Sequence, residues 1–244
     1  MKKTGIIIFR IVSVLLLIFA AYLIYDWYKE NEENKNVTDK LVTLSNITED
    51  KSAEYPVLDL DFSALLSENM DTVGWIKVNN SNINYAVVQS DDNDYYLNHN
   101  FYRQKNSAGW IFADYRNDMR NLNFNTVIYG HNRRDNSMFS SLKQALNVAW
   151  CANEENKYIY FNNLDTQMTW EVFSIYRVPA ETYCTNTSFG SIQAYEEFLK
   201  TIKERSIYNY NVELYPTDKI ITLYTCDNNN LDRIVLHAKL VYTK

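Results

Sequence analysis

The 244-residue sequence has few of the residues that break or cross-link a chain: five glycines, three prolines and three cysteines. So little glycine and proline excludes collagen-like and low-complexity structures. Lysine and arginine number 24 against 30 aspartates and glutamates, a net charge of −6, so a nucleic-acid-binding surface is not expected. With 46% hydrophobic residues, the composition is that of a packed globular protein with one substantial domain.

The three cysteines, Cys151, Cys184 and Cys226, are odd in number and widely spaced. This pattern fits neither a disulfide framework nor a Cys-x-x-Cys metal site. No His, Cys or carboxylate cluster has the spacing of metal ligands. We therefore expect three free thiols, no metal and no cofactor.

The sequence contains one long hydrophobic run, from Gly5 to Tyr25, in which Arg10 is the only charged residue. About 20 apolar residues cross a bilayer as a helix. Lysines precede the run and acidic residues follow it, so the positive-inside rule predicts a single-pass anchor with residues 1–4 in the cytoplasm and the remainder outside the cell. The run is longer than a signal-peptide core and no clear A-x-A site follows it, which favours an uncleaved transmembrane anchor over a cleaved signal peptide.

The sequence after the anchor divides into two parts. Residues 26–55 are polar and predict a partly helical stalk, and residues 56–244 are expected to form one folded domain. In that domain, β-branched and aromatic residues between Asn and Asp clusters predict about eight strands. The predicted strands are Trp75–Val78, Ile83–Gln89, Trp110–Ala113, Thr126–Tyr129, Lys157–Phe161, Met168–Val178, Lys219–Thr225 and Arg233–Tyr242.

Helical patterns are fewer than strand patterns in this domain. A short helix is predicted after the capping residue Asp61, a longer one along the apolar stripe from Phe139 to Trp150, and a third after Ser191. Many strands, few helices and no alternating strand and helix rhythm favour a closed or nearly closed β-barrel over a Rossmann-type fold.

Cys226 lies at the end of a predicted strand, and a polar turn separates it from the strand that Arg233 opens. A thiol at a strand end is exposed yet rigidly held. In such a hairpin Arg233 can return beside Cys226 and offer a permanent charge and several donors to an oxyanion. A lone cysteine is more often a buried small hydrophobe, so Cys226 needs a neighbouring base to qualify as a nucleophile.

Three histidines are candidates for that base. His131 follows a predicted strand, and Gly130 before it permits a sharp exit that would expose the imidazole. His99 lies in a polar loop and is expected to be only a loop residue. His237 shares a strand face with Arg233 by the two-residue period, so spacing alone leaves both His131 and His237 open.

The local motifs resemble those of a known family. Thr222-Leu223-Tyr224-Thr225-Cys226, followed by Arg233 and preceded far upstream by Tyr129-Gly130-His131, resembles the TL-x-TC, Arg and His signature of the sortases. The resemblance extends from about Asp59 to the C-terminus. Further stretches resemble class B sortases in particular: Asn84 to Gln89, Asp94 to Leu97, Gly109 to Asn117, Asp135 to Phe139 and the helix of Ser191 to Ser206.

The resemblance implies an eight-stranded sortase-type β-barrel with peripheral helices at the outer face of a Gram-positive cell membrane. It implies that the Cys226 thiolate attacks the carbonyl after the Thr of a C-terminal sorting signal, that His131 protonates the leaving amine, and that Arg233 stabilises the oxyanion. An amino group of a peptidoglycan precursor then accepts the surface protein. The partners would thus be exported proteins that bear a sorting signal, a peptidoglycan precursor amine and the membrane.

The resemblance also places a substrate groove. The residues that match groove positions, or that lie beside the nucleophile, are Asn93, Leu97, Tyr183, Tyr224 and Thr225. Tyr224 stands where class B members often have serine, which leaves open a different substrate preference. Membership of class B would favour an N-P-x-T sorting motif over L-P-x-T-G.

Two other functions compete with this interpretation. A cysteine hydrolase of cell-wall peptides, of the L,D-transpeptidase or papain type, would carry Gly before the Cys with Arg two residues after it, or would place its Cys before its His. Here Thr225 and Asn228 occupy the first pair of positions, and His131 precedes Cys226. A membrane-tethered adhesion barrel would leave Cys226 unreactive, and thiol labelling would distinguish it.

Overall fold

The computed structural model describes residues 2–50, 55–226 and 232–244, with side chains for all of these but Lys2, Lys3 and Cys226. Within these ranges the chain forms ten strands and four α-helices. The strands are β1 Thr48–Asp50, β2 Val57–Asp59, β3 Thr72–Val78, β4 Asn84–Val88, β5 Phe112–Ala113, β6 Asn125–Gly130, β7 Tyr158–Asn163, β8 Met168–Pro179, β9 Ile220–Cys226 and β10 Asp232–Thr243. The helices are α1 Lys2–Leu44, α2 Ser63–Glu68, α3 Val148–Cys151 and α4 Ile192–Glu204.

Eight of the strands close into a barrel in the order β10-β8-β7-β3-β4-β5-β6-β9. These eight are the strands that the sequence predicts, each displaced by a few residues at most. Neighbours are antiparallel except for the pairs β4 with β5 and β6 with β9, which are parallel. The predicted closed barrel is therefore confirmed, and β1 and β2 pair with each other as a separate antiparallel hairpin.

The two faces of strand β10 contribute side chains to two different hydrophobic clusters. Ile234, Leu236 and Ala238 belong to the main core, whereas Val235 belongs to a second cluster. Successive side chains of a strand point to opposite faces, so one strand closes both layers. The second cluster is completed by the apolar face of α4, whose buried residues are Tyr195, Phe198, Leu199 and Ile202.

Two of the three predicted helices form as expected. The Ser191 hydroxyl accepts a hydrogen bond from the Ala194 amide at 3.1 Å and caps α4. In front of α2, the Asp61 carboxylate accepts from the Ser63 amide at 2.8 Å, although Phe62 occupies the N-cap position.

The predicted helix from Phe139 to Trp150 is not one continuous helix. A 3₁₀-helix spans Ser140–Leu146, and α3 begins anew after Asn147. Asn147 has an extended backbone, and its side chain accepts a hydrogen bond from the Ala149 amide at 2.9 Å. An asparagine that caps a following helix competes with continuation of the preceding one, and this pattern of apolar spacing does not reveal that competition.

The helix α1 combines the apolar run and most of the predicted stalk. Its large apolar side chains between Ile6 and Tyr25 are exposed, and this part is long and apolar enough to cross a membrane. Further along the same helix, Val37 and Leu41 are buried in the main core. The second half of α1 therefore packs against the barrel, and an apolar helix that fits a membrane anchor continues directly into the folded domain.

Candidate active site

Three neighbouring strands bring the predicted catalytic positions to one edge of the barrel. In the parallel pair of β6 and β9, Gly130 lies opposite Thr225 as the last pair of the ladder, and His131 and Cys226 are the next residues along their chains. In the antiparallel pair of β9 and β10, Arg233 lies directly opposite Cys226. Neighbouring strands lie ~5 Å apart. Residues that are distant in sequence thus share one edge.

Gly130 is required at the end of β6 by close packing. A Cβ at this position would lie 2.5 Å from Ile111 Cδ1 and 2.7 Å from Phe139 Cγ. The sequence suggested that this glycine permits a sharp exit, but its φ angle is not in the left-handed region. The chain needs glycine here because two core side chains approach the backbone.

The two ends of the loop from His131 to Phe139, called the His131 loop below, are hydrogen-bonded to each other. The Phe139 amide donates to the His131 carbonyl at 3.0 Å, and Asn132 and Met138 form an isolated antiparallel bridge. The Met138 amide donates to the Tyr85 hydroxyl at 3.0 Å, which fastens the loop to β4. The imidazole consequently stands on a backbone that is held at both ends.

The His131 imidazole contacts a segment that the sequence predicts for substrate binding. Its Nε2 lies 2.7 Å from the carbonyl oxygen of Leu97. A carbonyl can only accept, so this contact requires the proton on Nε2. Leu97 as a residue is 38% exposed. Leu97 therefore presents an apolar side chain to solvent and uses its backbone to orient the imidazole.

Aromatic rings line the strand edge beside the Cys226 position. The Tyr129 and Tyr224 rings meet edge to face with centroids 5.7 Å apart. The Arg233 guanidinium carbon lies 6.0 Å from the Tyr224 ring centroid, within the range of a cation–π contact. Thr225, between Tyr224 and Cys226, is buried. Tyr224 thus supports the guanidinium where smaller side chains could not reach it.

The buried carboxylate of Asp114 is the centre of a hydrogen-bond network that includes the Tyr129 hydroxyl. Asp114 accepts hydrogen bonds from the Tyr129 hydroxyl at 2.8 Å, from Arg116 Nη2 at 2.6 Å and from Asn93 Nδ2 at 3.1 Å. Burial alone would raise the pKa of the Asp114 carboxyl, but the hydrogen bonds from Arg116 and Tyr129 outweigh it and hold the pKa below its usual value. Burial and the Asp114 charge raise the pKa of Tyr129.

Asp114 had no role assigned from the sequence, although it lies within a stretch that resembles class B sortases. An isolated aspartate between a short strand and a loop carries no spacing signal. Its four-residue network depends on contacts between separate elements. Asn93, which the sequence assigned to the substrate groove, is part of this network and also accepts a hydrogen bond from the Tyr115 amide at 3.0 Å.

Tyr183 lies apart from the other groove candidates, on the α4 side of the site. Its ring packs on Phe198 at 5.5 Å between centroids and lies 5.1 Å from the Arg205 guanidinium carbon. The segment before it is tied to the catalytic strand, because the Tyr224 hydroxyl donates to the Glu181 carbonyl at 2.8 Å. Tyr183 is therefore linked to β9 by the hydrogen bond that Glu181, two residues before it, accepts from Tyr224.

The other two histidines occupy different surroundings. His237 is fully buried, with Nε2 2.9 Å from the Tyr176 hydroxyl and Nδ1 2.8 Å from the Thr222 hydroxyl. Burial lowers the pKa of His237 to about 3. His99 stacks on the Tyr95 ring, with centroids 4.1 Å apart. In the ladder, His237 pairs with Thr222, four residues before the position of Cys226.

The two cysteines outside this edge are buried and free, as the sequence predicts for them. Burial raises the pKa of both Cys151 and Cys184, for Cys184 to about 11. A thiol with such a pKa stays protonated at neutral pH and is a poor nucleophile. The side chain of Cys226 and the predicted turn that follows it lie outside the described residues.

Comparisons with known proteins agree with this geometry. The sortase domain family profile matches residues 76–241 of the chain. The chain is a sortase. It is 34% identical over 242 residues to sortase B of Staphylococcus aureus strain NCTC 8325 / PS 47, with 98% of each sequence covered.

Solved sortase B structures share the fold. The sortase B of Bacillus anthracis in complex with AAEK1 superposes with a TM-score of 0.77 at 36% identity, covering 88% of this chain and 99% of that one. The Staphylococcus aureus sortase B–substrate complex gives 0.69 at 38% identity, covering 74% and 84%. A sortase B complexed with triglycine gives 0.70 at 38% identity, covering 74% and 85%.

Membership of this family settles the reaction class. The chain is a sortase B type cysteine transpeptidase of the cell wall. The L,D-transpeptidase, papain-like and adhesion-barrel alternatives are thereby excluded. At the ends of β6, β9 and β10 the structure gathers the sequence-predicted residues His131, Tyr224, Thr225, Cys226 and Arg233. Leu97 joins them through its carbonyl contact with His131.

Proposed function

We propose that this sortase cleaves the C-terminal sorting signal of exported proteins after a threonine and transfers the protein to an amino group of a peptidoglycan precursor. The observation that carries the proposal is the register of three strands, which pairs Gly130 with Thr225 and Arg233 with Cys226. This register supports a site in which the Cys226 thiol, the His131 imidazole and the Arg233 guanidinium act together. A thiol nucleophile, an acid–base imidazole and an oxyanion donor are groups that can carry out acyl transfer through a thioester.

In the proposed first step, the Cys226 thiolate adds to the threonine carbonyl. The carbonyl oxygen becomes an oxyanion, and the Arg233 guanidinium donates hydrogen bonds to it. Collapse of this intermediate breaks the peptide C–N bond, and His131 gives its proton to the leaving amine. The product is a Cys226 thioester and a free C-terminal peptide.

In the second step, an acceptor amine attacks the thioester. His131 takes a proton from the attacking nitrogen, and the tetrahedral intermediate expels Cys226 as a thiolate, which restores the starting enzyme. The structures of sortase B with a substrate and with triglycine support a peptide donor and an amine acceptor for this chain too. Asn93, Leu97, Tyr183, Tyr224 and Thr225 are the proposed substrate-groove residues.

The choice of His131 over His237 rests on their surroundings. His131 has a part-exposed ring oriented by the Leu97 carbonyl at the edge where Cys226 lies. His237 is enclosed by Tyr176 and Thr222, and its lowered pKa keeps it neutral. A group that exchanges protons with a substrate needs access to it, which the described contacts of His237 do not give.

The proposed location follows from α1. Its apolar part anchors the chain in the membrane with residues 1–4 in the cytoplasm and the barrel outside, where exported proteins and wall precursors meet. Residues 5–25 form the proposed membrane segment and 56–244 the catalytic domain.

Mass spectrometry of the enzyme mixed with sorting-signal peptides tests this proposal. A panel that includes N-P-x-T and L-P-x-T-G peptides should give a Cys226 acyl adduct, and added triglycine should convert the adduct into a peptide-triglycine product. Cys226→Ala should lose all turnover. Arg233→Lys should lose ~10²-fold or more, because an ammonium keeps the charge but not the planar fork of donors. Absence of both the adduct and the triglycine product would refute the proposal.

A further inference from the structure

The anchor helix α1 contacts both segments that hold the His131 imidazole. One is the loop after His131, and the other is the segment from Leu97 to Ser107. The imidazole lies between them, with Nε2 on the Leu97 carbonyl. Both contacts come from one turn of α1, because Asn31 and Asn34 are three residues apart and therefore lie on one helix face.

The first contact is with the His131 loop. Arg133, two residues after His131, donates from Nη2 to the Asn31 side-chain oxygen, and its Nε lies 3.3 Å from Asp135. The Arg133 side chain is only 11% exposed, so its guanidinium is held between α1 and its own loop. This arrangement fixes the backbone directly after the imidazole.

The second contact is with the segment that supplies the Leu97 carbonyl. Asn34 donates from Nδ2 to the Asn106 side-chain oxygen at 2.8 Å, and both residues are buried. The Asn106 amide donates to the Asn98 carbonyl at 2.9 Å, directly beside Leu97. Ser107 adds a hydrogen bond to the Glu30 carboxylate.

Between these contacts, the helix and the loop do not pack tightly. A cleft of about 690 Å³ lies between α1 and the loop, with Tyr28 and Lys35 on one side and Asn136 and Met138 on the other. The coupling at this place therefore depends on discrete hydrogen bonds. Single substitutions should remove it without emptying the core.

We infer that α1 is a positioning element for catalysis: Asn31 and Asn34 hold the His131 loop and the Leu97 segment at the separation that orients the imidazole. The proposed membrane segment is part of the same helix, so the anchor is joined to the residues that orient the imidazole. This inference rests on the proposed catalytic role of His131. Both asparagines act through Arg133 and Asn106, so both are positioning residues.

The test compares full-length variants in lipid nanodiscs by steady-state transpeptidation. Asn31→Leu and Asn34→Leu should each lower kcat by ~10-fold or more, because small displacements of a catalytic group are costly, while the KM for the sorting peptide changes less than about twofold. Asn31→Asp should keep near-parental kcat, since a carboxylate still accepts from Arg133. Thr43→Val is the matched control on the same helix, where it removes an exposed hydrogen bond to the Asp39 carbonyl of α1 itself and leaves both contacts intact.

A second arm separates positioning from general destabilisation. In a His131→Ala background, Asn31→Leu should change the residual rate by less than about twofold, because there is no imidazole left to misplace. Equal losses in both backgrounds, or unchanged kcat in both leucine variants, would overturn the inference while His131→Ala remains inactive. Full activity of His131→Ala would overturn the catalytic assignment and the inference with it.

Discussion

The buried imidazole of His237 makes the stability of this sortase depend on pH in a defined window. In the folded protein the pKa of His237 is lowered to about 3 by burial, whereas an unfolded chain has a histidine pKa of ~6.5. Between these values the unfolded state binds one proton more than the folded state. The free energy of unfolding therefore falls as the pH falls below ~6.5, by ~1.4 kcal/mol per pH unit.

A step from pH 7 to pH 5 should thus lower the free energy of unfolding by about 2 kcal/mol through His237 alone. The substitution His237→Gln removes the titrating group and keeps an amide that can bond to Tyr176 or Thr222. The substitution will cost some stability, and this cost does not vary with pH because glutamine does not titrate. Its loss between pH 7 and pH 5 should be about 2 kcal/mol smaller than that of the parent chain.

Urea unfolding of a chain that starts at Asp26, followed by tryptophan fluorescence at both pH values, measures this difference. The variant His99→Gln controls for the loss of an imidazole elsewhere. If the parent chain and His237→Gln lose the same stability between pH 7 and pH 5, the conclusion that His237 is neutral in the folded protein is wrong. In a peptide-cleavage assay, His237→Gln should keep most activity, whereas His131→Ala should lose ~10²–10⁴-fold.

Three further predictions concern the anchor, Gly130 and the cysteines. The full chain should remain in membranes through high-salt and carbonate washes, while a chain starting at Asp26 should be soluble; release of intact protein by the washes would contradict the anchor. Gly130→Ala should cost ~1–3 kcal/mol in urea unfolding, since its Cβ would overlap Phe139, and it should lower transpeptidation by displacing the His131 loop; unchanged stability and rate would contradict the packing. Thiol titration should count three free thiols after denaturation, with Cys151 and Cys184 unreactive in the native protein; a disulfide between them in mass spectrometry would refute this.

The sequence by itself determined the barrel and the chemical groups of its site. Each barrel strand is a short β-branched and aromatic segment between polar clusters, and that local pattern needs no partner to be recognised. The motif that ends in Cys226, with Arg233 and His131, identified the sortase signature because it is a contiguous run of residue types. The long apolar run likewise predicted the membrane helix from composition alone.

Only the tertiary structure decided which groups meet. Spacing alone left His131 and His237 as alternatives, since a period of two places His237 on the face of Arg233 but does not reveal that Phe173 and Tyr176 pack against it. Asp114 gained its role from hydrogen bonds that come from two other segments. Residues 26–44 of the predicted stalk lie in α1, and Asn31 and Asn34 are ordinary polar residues until the barrel brings Arg133 and Asn106 against them. Strand register and side-chain burial are properties of the assembled chain, and local sequence patterns do not contain them.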